Sequence, residues 1–336
     1  MSTRVPHRYD DFTSVVVQLH PSMQNYVNSL IANNQRRTAR KNAYFLLLYW
    51  RWLQQAKIDP LKANAGDLRA YQCWQASYSC RNNPPSLKTQ EGRLGALRAY
   101  YRFLEQRHLV LVDVSKELKL PKNRKHATKK DYLTLQETTA LLQTQAKRTL
   151  LYPQGCANWA TEVRNLAFFA LAIATGRRLN GLRELSVSDV DFTRNELRVA
   201  KEKGRTGRIL PVAQWAMITL REYVEKARPL FLKANACDVL FINRKNGCVN
   251  ECINDQLGAL KDQTARENPD LEELASKHVT MHCLRVTFAK LLFSGGCNFR
   301  SINELMLHQR LSTTAYYTPI PLHELRQACR LAHPRA

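Results

Sequence analysis

Along residues 38–58 (TARKNAYFLLLYWRWLQQAKI) apolar and aromatic side chains return every three or four positions, the period of a helix with one buried side. The same period governs 67–77 and 86–108 (SLKTQEGRLGALRAYYRFLEQRH). The latter run is entered through Asn82-Asn83-Pro84-Pro85, which breaks the chain, and Ser86, whose hydroxyl can cap a helix. After a stretch without apolar periodicity at 116–130, helical spacing resumes at 133–145 and 162–174, and a turn falls at Thr175-Gly176. Between 190 and 212 the pattern switches to short β-type runs at 191–192, 196–200 and 208–212, punctuated by Asn195 and a Gly204/Gly207 turn. Helical spacing returns at 214–227, 282–293 and 302–307, and no internal repeat is present. The pattern predicts a mostly α protein with a small antiparallel β-sheet in its C-terminal half.

Charge changes this picture from a fold to a partner. The 336 residues are 44% hydrophobic and 24% charged, an ordinary globular balance for about two domains, but 51 Lys and Arg face 28 Asp and Glu. A net charge of +23 on a foldable chain asks for a polyanion, nucleic acid first and an anionic membrane surface second. Residues 1–132 hold 23 of the Lys and Arg against 9 acids, and 116–130 (KELKLPKNRKHATKK) reads as a basic linker able to follow a phosphate backbone. The expected division is a helical domain at 12–115, the linker at 116–131, a second domain at 132–320 and a tail at 321–336. No apolar run of membrane-spanning length and no apolar signal core occur, so the expected location is the cytoplasm. Nine cysteines, an odd number without a second ligand pair beside Cys248 and Cys252, read as reduced packing residues rather than a disulfide framework or a zinc site.

Four segments of the C-terminal half carry candidate chemistry. In 174–192 the Thr-Gly turn delivers Arg178 to the start of a helix as a plausible phosphate clamp; alone, the segment reads sooner as carrying a surface arginine. In 201–211 (KEKGRTGRILP) a hairpin tip holds Lys201 and Lys203, which could donate a proton or touch a phosphate, although basic tips are common. In 282–292 His282 and Arg285 lie at i and i+3 and so share a helix face, either to hold one anion or with the histidine as a satisfied core residue. In 305–320 His308 stands nine residues before Tyr317, and Ser312, Thr313 and Thr314 look like a helix entrance that puts Tyr316 and Tyr317 on a short helix.

In this order and spacing the four segments resemble the catalytic boxes of the tyrosine recombinase (phage integrase) family. The matching residues are Thr175-Gly176-Arg177-Arg178, Lys203 with Arg208-Ile209-Leu210-Pro211, His282-Cys283-Leu284-Arg285 with Thr287-Phe288-Ala289, and His308 with Tyr317. The resemblance extends to the aromatic-rich helical segments at 44–53 and 97–104, followed by Leu120-Pro121-Lys122, and so spans about residues 20–320. Three positions depart from the pattern: Gly181 replaces a common Glu, Leu307 a usual Gly, and Pro319 a frequent His.

The resemblance implies an N-terminal helical core-binding (SAM-like) domain and a C-terminal tyrosine-recombinase catalytic domain. It implies catalytic roles for Arg178, Lys203, His282, Arg285, His308 and Tyr317. Candidate DNA contacts are Arg40, Lys41, Lys88, Arg93, Arg98, Lys122, Arg124 and Lys125. The implied activity is cleavage and rejoining of double-stranded DNA at specific recombination sites, through a 3′-phosphotyrosine and a Holliday junction, by a homotetramer on two DNA sites. The resemblance leaves room for accessory DNA-bending or directionality proteins, and no metal, cofactor or ATP is expected. The start of the chain leaves no room for an added arm-binding domain, which favours a simple Xer, integron or transposon type. The rivals are a type IB topoisomerase-like relaxing enzyme and a non-catalytic helical DNA-binding protein on the same scaffold.

Overall fold

The computed structural model describes residues 12–78, 84–118, 131–199, 207–232, 238–244, 249 and 252–307. They belong to two compact units, Met1–Thr128 and Lys129–Ala336.

The first unit is helical: α1 (Thr13–Val17), α2 (Pro21–Ala32), α3 (Arg36–Ala56), α4 (Ala65–Ser77) and α5 (Leu87–Gln106). The long periodic runs become α3, α4 and α5. Ser86 caps α5 by accepting from Thr89 N at 3.2 Å, and Asn64 with Asp67 forms a capping box on α4. The pattern reading missed α1 and α2. Of these, α2 carried a usable signal: Pro21 sits at the first helical position, and Met23, Tyr26 and Val27 supply the buried side. The core is unusually rich in tyrosine, with Tyr26, Tyr49, Tyr71, Tyr100 and Tyr101 buried together. Buried hydroxyls need partners. Tyr49 and Tyr101 share a hydrogen bond of 2.8 Å, Tyr101 donates to Pro60 O, Tyr100 pairs with Ser22 at 2.6 Å, and Asn42 donates to Tyr26. Burial pushes the phenols of Tyr71, Tyr100 and Tyr101 well above their ordinary range, so they stay neutral.

The second unit contains α6 (Leu135–Leu150), α7 (Ala157–Thr175), α8 (Leu179–Arg183), a sheet, α9 (Gln214–Glu222) continuing into a π-helical turn at Tyr223–Ala227, α10 (Ile253–Glu267), α11 (Met281–Ser294) and α12 (Phe299–Leu305). Its centre is α7, apolar nearly all round and packed against α6, α9 and α11. The sheet is β1 (Val190–Asp191), β2 (Glu196–Val199) and β3 (Arg208–Pro211), antiparallel in the order β1-β2-β3. Leu197 pairs with Leu210, both turned into the core, which fixes the register. The pattern also missed α10, whose buried stripe of Ile253, Leu257, Leu260 and Thr264 is diluted by Gly258 and polar neighbours.

Two anchors hold α11 in place. Thr280 caps it by accepting from Cys283 N, and Thr287 Oγ accepts from Leu133 N at 2.9 Å, tying the helix to the start of the unit. Nearby, Lys277 donates to both carboxylate oxygens of buried Glu137 at 2.7 and 2.8 Å. Burial opposes the Lys277 charge, but its bonds to Glu137 and Glu273 raise its pKa.

Candidate active site

The helix α7 ends at Thr175 because Gly176 adopts a left-handed conformation, φ +57°. A Cβ on Gly176 would lie 2.3 Å from Phe288 Cδ1 on α11, so glycine serves both the turn and the close approach of the two helices. Chain direction then reverses through Arg177 and Arg178, and Arg178 stands at the N-cap of α8 with extended backbone.

From the other side, α11 brings Arg285 under this turn. Arg285 is 3% exposed, and its guanidinium donates from Nη1 to Gly176 O at 2.5 Å and from Nη2 to Met306 O at 2.6 Å. A small core of Val286, Phe288, Ala289, Ile302 and Met306 joins α11 to α12, so the Met306 carbonyl is positioned by packing. One buried cation thus ties together the end of α7, the middle of α11 and the end of α12. Arg177, Arg178, Gly181, Arg285, Met306 and Leu307 line a small cleft at this junction.

The structure brings Arg178 and Arg285 together across this cleft and adds Arg177, which the sequence reading passed over. His282 is the exposed residue of the otherwise buried first turn of α11, one turn before Arg285, and is not among the cleft-lining residues. The two residues stand one turn apart on α11, as the i and i+3 spacing requires, with the histidine exposed and the arginine buried. Lys203, His308 and Tyr317 lie outside the described residues, as does the predicted helix entrance at 312–314. Leu307, which stands where the family pattern has glycine, has φ +53°, a left-handed backbone that a leucine adopts at a steric cost. Burial pushes the Cys283 thiol up to about 11, so this cysteine beside His282 is a packing residue.

In the first unit, α3 begins with Arg36, Arg37, Arg40 and Lys41 and has no acidic residue in its first turn. Cations there oppose the helix dipole, an arrangement that makes sense for attracting a polyanion rather than for helix stability. The Lys41 ammonium lies 5.5 Å from the centre of the Phe45 ring, and a Cβ on Gly92 of α5 would touch that ring at 3.2 Å. Exposed Lys88, one turn before Gly92, therefore adds to this basic surface. Arg93 and Arg98 are half-buried and bonded within the unit, Arg93 to Gln75 O at 3.1 Å and Arg98 to Leu118 O at 2.5 Å. Lys122, Arg124 and Lys125, most of the linker and the tail at 321–336 lie outside the described residues. Among the described residues no cluster of His, Cys, Asp or Glu could hold a metal, and no helix is long and apolar enough to cross a membrane.

The second unit is thus α-helical with a three-stranded antiparallel sheet, and three arginines line one cleft within it. The phage integrase family model matches residues 122–321, and the chain belongs to that family. The chain is similar to the tyrosine recombinase XerC of Oceanobacillus iheyensis, 30% identical over 75% of this chain and 76% of that protein. It is also similar to the tyrosine recombinase XerD of Corynebacterium glutamicum, 27% identical over 94% of this chain and 96% of that one. Among solved structures, the XerH site-specific recombinase bound to difH substrate in a pre-cleavage complex shares the fold with TM-score 0.64 at 17% identity, covering 98% of this chain and 90% of that one. The Tn1549 transposon integrase in complex with circular intermediate DNA shares it with TM-score 0.62 at 18% identity, over 91% and 98%.

Proposed function

We propose that this protein is a site-specific DNA recombinase that cleaves and rejoins duplex DNA through a 3′-phosphotyrosine and a Holliday junction. The observation that carries this reading is the convergence of exposed Arg178 and buried Arg285 on one cleft. A phosphodiester in displacement builds charge on its nonbridging oxygens, and fixed guanidinium donors stabilise that charge without reorganising at the moment of reaction. Relatives that cover most of this chain are tyrosine recombinases, and a neighbour of the same fold is a recombinase bound to its DNA substrate.

In the proposed cycle the Tyr317 hydroxyl attacks the scissile phosphorus and the bond to the 5′-oxygen breaks. Lys203 gives a proton to that oxygen, a role worth about 10²- to 10⁴-fold. His282 takes the tyrosine proton, and His308 supports a nonbridging oxygen. A 5′-hydroxyl from the second duplex then attacks the phosphotyrosine and releases the tyrosine. The bond energy is kept in the covalent intermediate, so no ATP enters.

The basic surface around Lys41 and Lys88 supports DNA clamping by the first unit, with the 116–131 linker following the backbone between the domains at 12–115 and 132–320. The active assembly is a cytoplasmic homotetramer on two sites. In it the tail from Pro321 packs on a neighbouring protomer through Leu322, Leu325, Cys329 and Leu331, which recur at roughly helical spacing. Incubating the full chain with two DNA duplexes carrying the sequences that flank its own gene tests the reading. Recombinant products support it; relaxation of supercoils without exchange would mean a topoisomerase-like activity, and binding without a covalent adduct a non-catalytic scaffold.

A further inference from the structure

A threonine inside a helix can satisfy its hydroxyl on the carbonyl four residues back. Thr161, Thr175, Thr219 and Thr264 all do so here, at 2.8, 2.6, 3.0 and 2.9 Å. Thr287, in the middle of α11, reaches outside its helix: its Oγ accepts from Leu133 N at 2.9 Å, across 154 positions of sequence. Both residues are 0% exposed. Valine has nearly the same shape, so the hydroxyl answers to the buried Leu133 N–H rather than to packing.

This bond is one of three contacts made by consecutive residues. Asp131 Oδ2 accepts from His278 N at 2.8 Å, shortly before α11 begins. Tyr132 packs against the small core of Val286, Phe288, Ala289, Ile302 and Met306 that joins α11 to α12. Residues 131–133 thus hold α11 ahead of its start, at its middle and at its joint with α12. Arg285 and Thr287 stand about 200° apart around the helix. Arg285 therefore binds the Gly176 and Met306 carbonyls on one side while Thr287 binds Leu133 on the other. Apolar contacts are non-directional and tolerate sliding, whereas a hydrogen bond weakens steeply when misaligned. Turning α11 about its axis would break the Leu133 bond and would swing Arg285 and His282 together.

We propose that residues 131–133 position α11 for the cleaving reaction, with the Leu133–Thr287 hydrogen bond fixing the rotation of the helix and so the placement of Arg285 and His282. This rests on the DNA-cleaving reading above, and Thr287 acts in it as a positioning residue.

The test uses the full chain and a DNA site captured covalently by the wild-type protein from a random-sequence pool. Single-turnover adduct formation at saturating DNA and the Kd for DNA are measured separately, at a temperature where circular dichroism shows each variant folded. Thr287→Val should slow the covalent step by about 10- to 10²-fold, as a small misplacement of reacting groups does, with Kd unchanged. Thr287→Ser, which keeps the hydroxyl, should restore the wild-type rate. Thr264→Val removes a buried hydroxyl of the same kind from α10 and should lower the Tm with the rate unchanged. A role confined to stability would make the two valine variants alike. If Thr287→Val does not fold, Asp131→Ala decides, because Asp131 is exposed: it should slow the covalent step with Kd unchanged, and a wild-type rate would overturn the proposal. A wild-type rate for folded Thr287→Val, equal slowing by Thr264→Val, no recovery in Thr287→Ser, or a loss carried wholly by Kd would also overturn it while leaving DNA cleavage intact. Failure of the wild-type protein to capture any site would overturn the underlying reading and the proposal with it.

Discussion

Replacing Gly176 by alanine should unseat Arg285, whose guanidinium donates to the Gly176 carbonyl. The added methyl would meet Phe288 Cδ1 at 2.3 Å, Cγ at 2.8 Å and Cε1 at 3.0 Å, and the residue would have to hold φ +57°. Left-handed backbone costs a non-glycine residue about 1–2 kcal/mol, and forcing a methyl into a packed contact costs about 1–3 kcal/mol more. A loss of about 2–5 kcal/mol follows for the second unit, on the order of 10 °C in its melting transition. Because Gly176 O accepts from Arg285 Nη1, strain relieved by moving the turn also moves the guanidinium. Urea denaturation of the full chain, followed through the second unit, measures the stability term. The decisive comparison is with Phe288→Leu, which removes the ring edge in the way. If the clash is real, the double variant is more stable than the sum of the single losses by about 1 kcal/mol or more. Strict additivity would refute the steric argument and with it the reason given for glycine at this turn.

Further outcomes follow from neighbouring groups. Arg178→Ala should lower adduct formation by about 10²-fold with stability nearly unchanged, since its side chain is exposed, whereas Arg285→Ala should also destabilise the unit by about 1–3 kcal/mol by stripping the Gly176 and Met306 carbonyls of their donor. Leu307→Gly should relieve left-handed strain and raise the Tm slightly, with a drop showing that the leucine side chain matters more than its backbone. Cys283 has its thiol pKa raised from 9.0 to about 11 by burial, so its contribution to stability is complete below pH 9 and is lost as pH climbs through 11; Lys277, also raised, acts in the same direction, and a denaturation series across that range should show the decline. Lys41→Ala and Lys88→Ala should each flatten the salt dependence of DNA binding, while Arg93→Ala and Arg98→Ala should chiefly lower the stability of the first unit.

Helices with long apolar stripes, α3 and α5 above all, were legible because their period persists over several turns. The α10 stripe is broken by Gly258 and polar residues, and α1 is too short to show a period. Arg178 and Arg285 were visible through spacing within their segments. Arg177 was not, because a doubled arginine reads as redundant until one of the pair is seen to rest against Gly181 and donate to its carbonyl. Similarly, i and i+3 spacing placed His282 beside Arg285 but could not say that packing between α11 and α12 buries one and leaves the other outside. The departures at Gly181 and Leu307 were readable as letters, but their physical content lies in a van der Waals contact and a backbone angle.

Recombination by this protein should join a tyrosine of its C-terminal segment covalently to a DNA 3′-phosphate held by arginines. Trapping the adduct on a nicked substrate in the presence of EDTA, digesting it and sequencing the DNA-linked peptide by mass spectrometry tests this directly. The expected result is a 3′-phosphate on Tyr317, loss of the adduct but not of DNA binding in Tyr317→Phe, and retention of cleavage in Tyr316→Phe. A linkage to any other residue, a 5′-phosphate linkage or a strict magnesium requirement for the covalent step would contradict it.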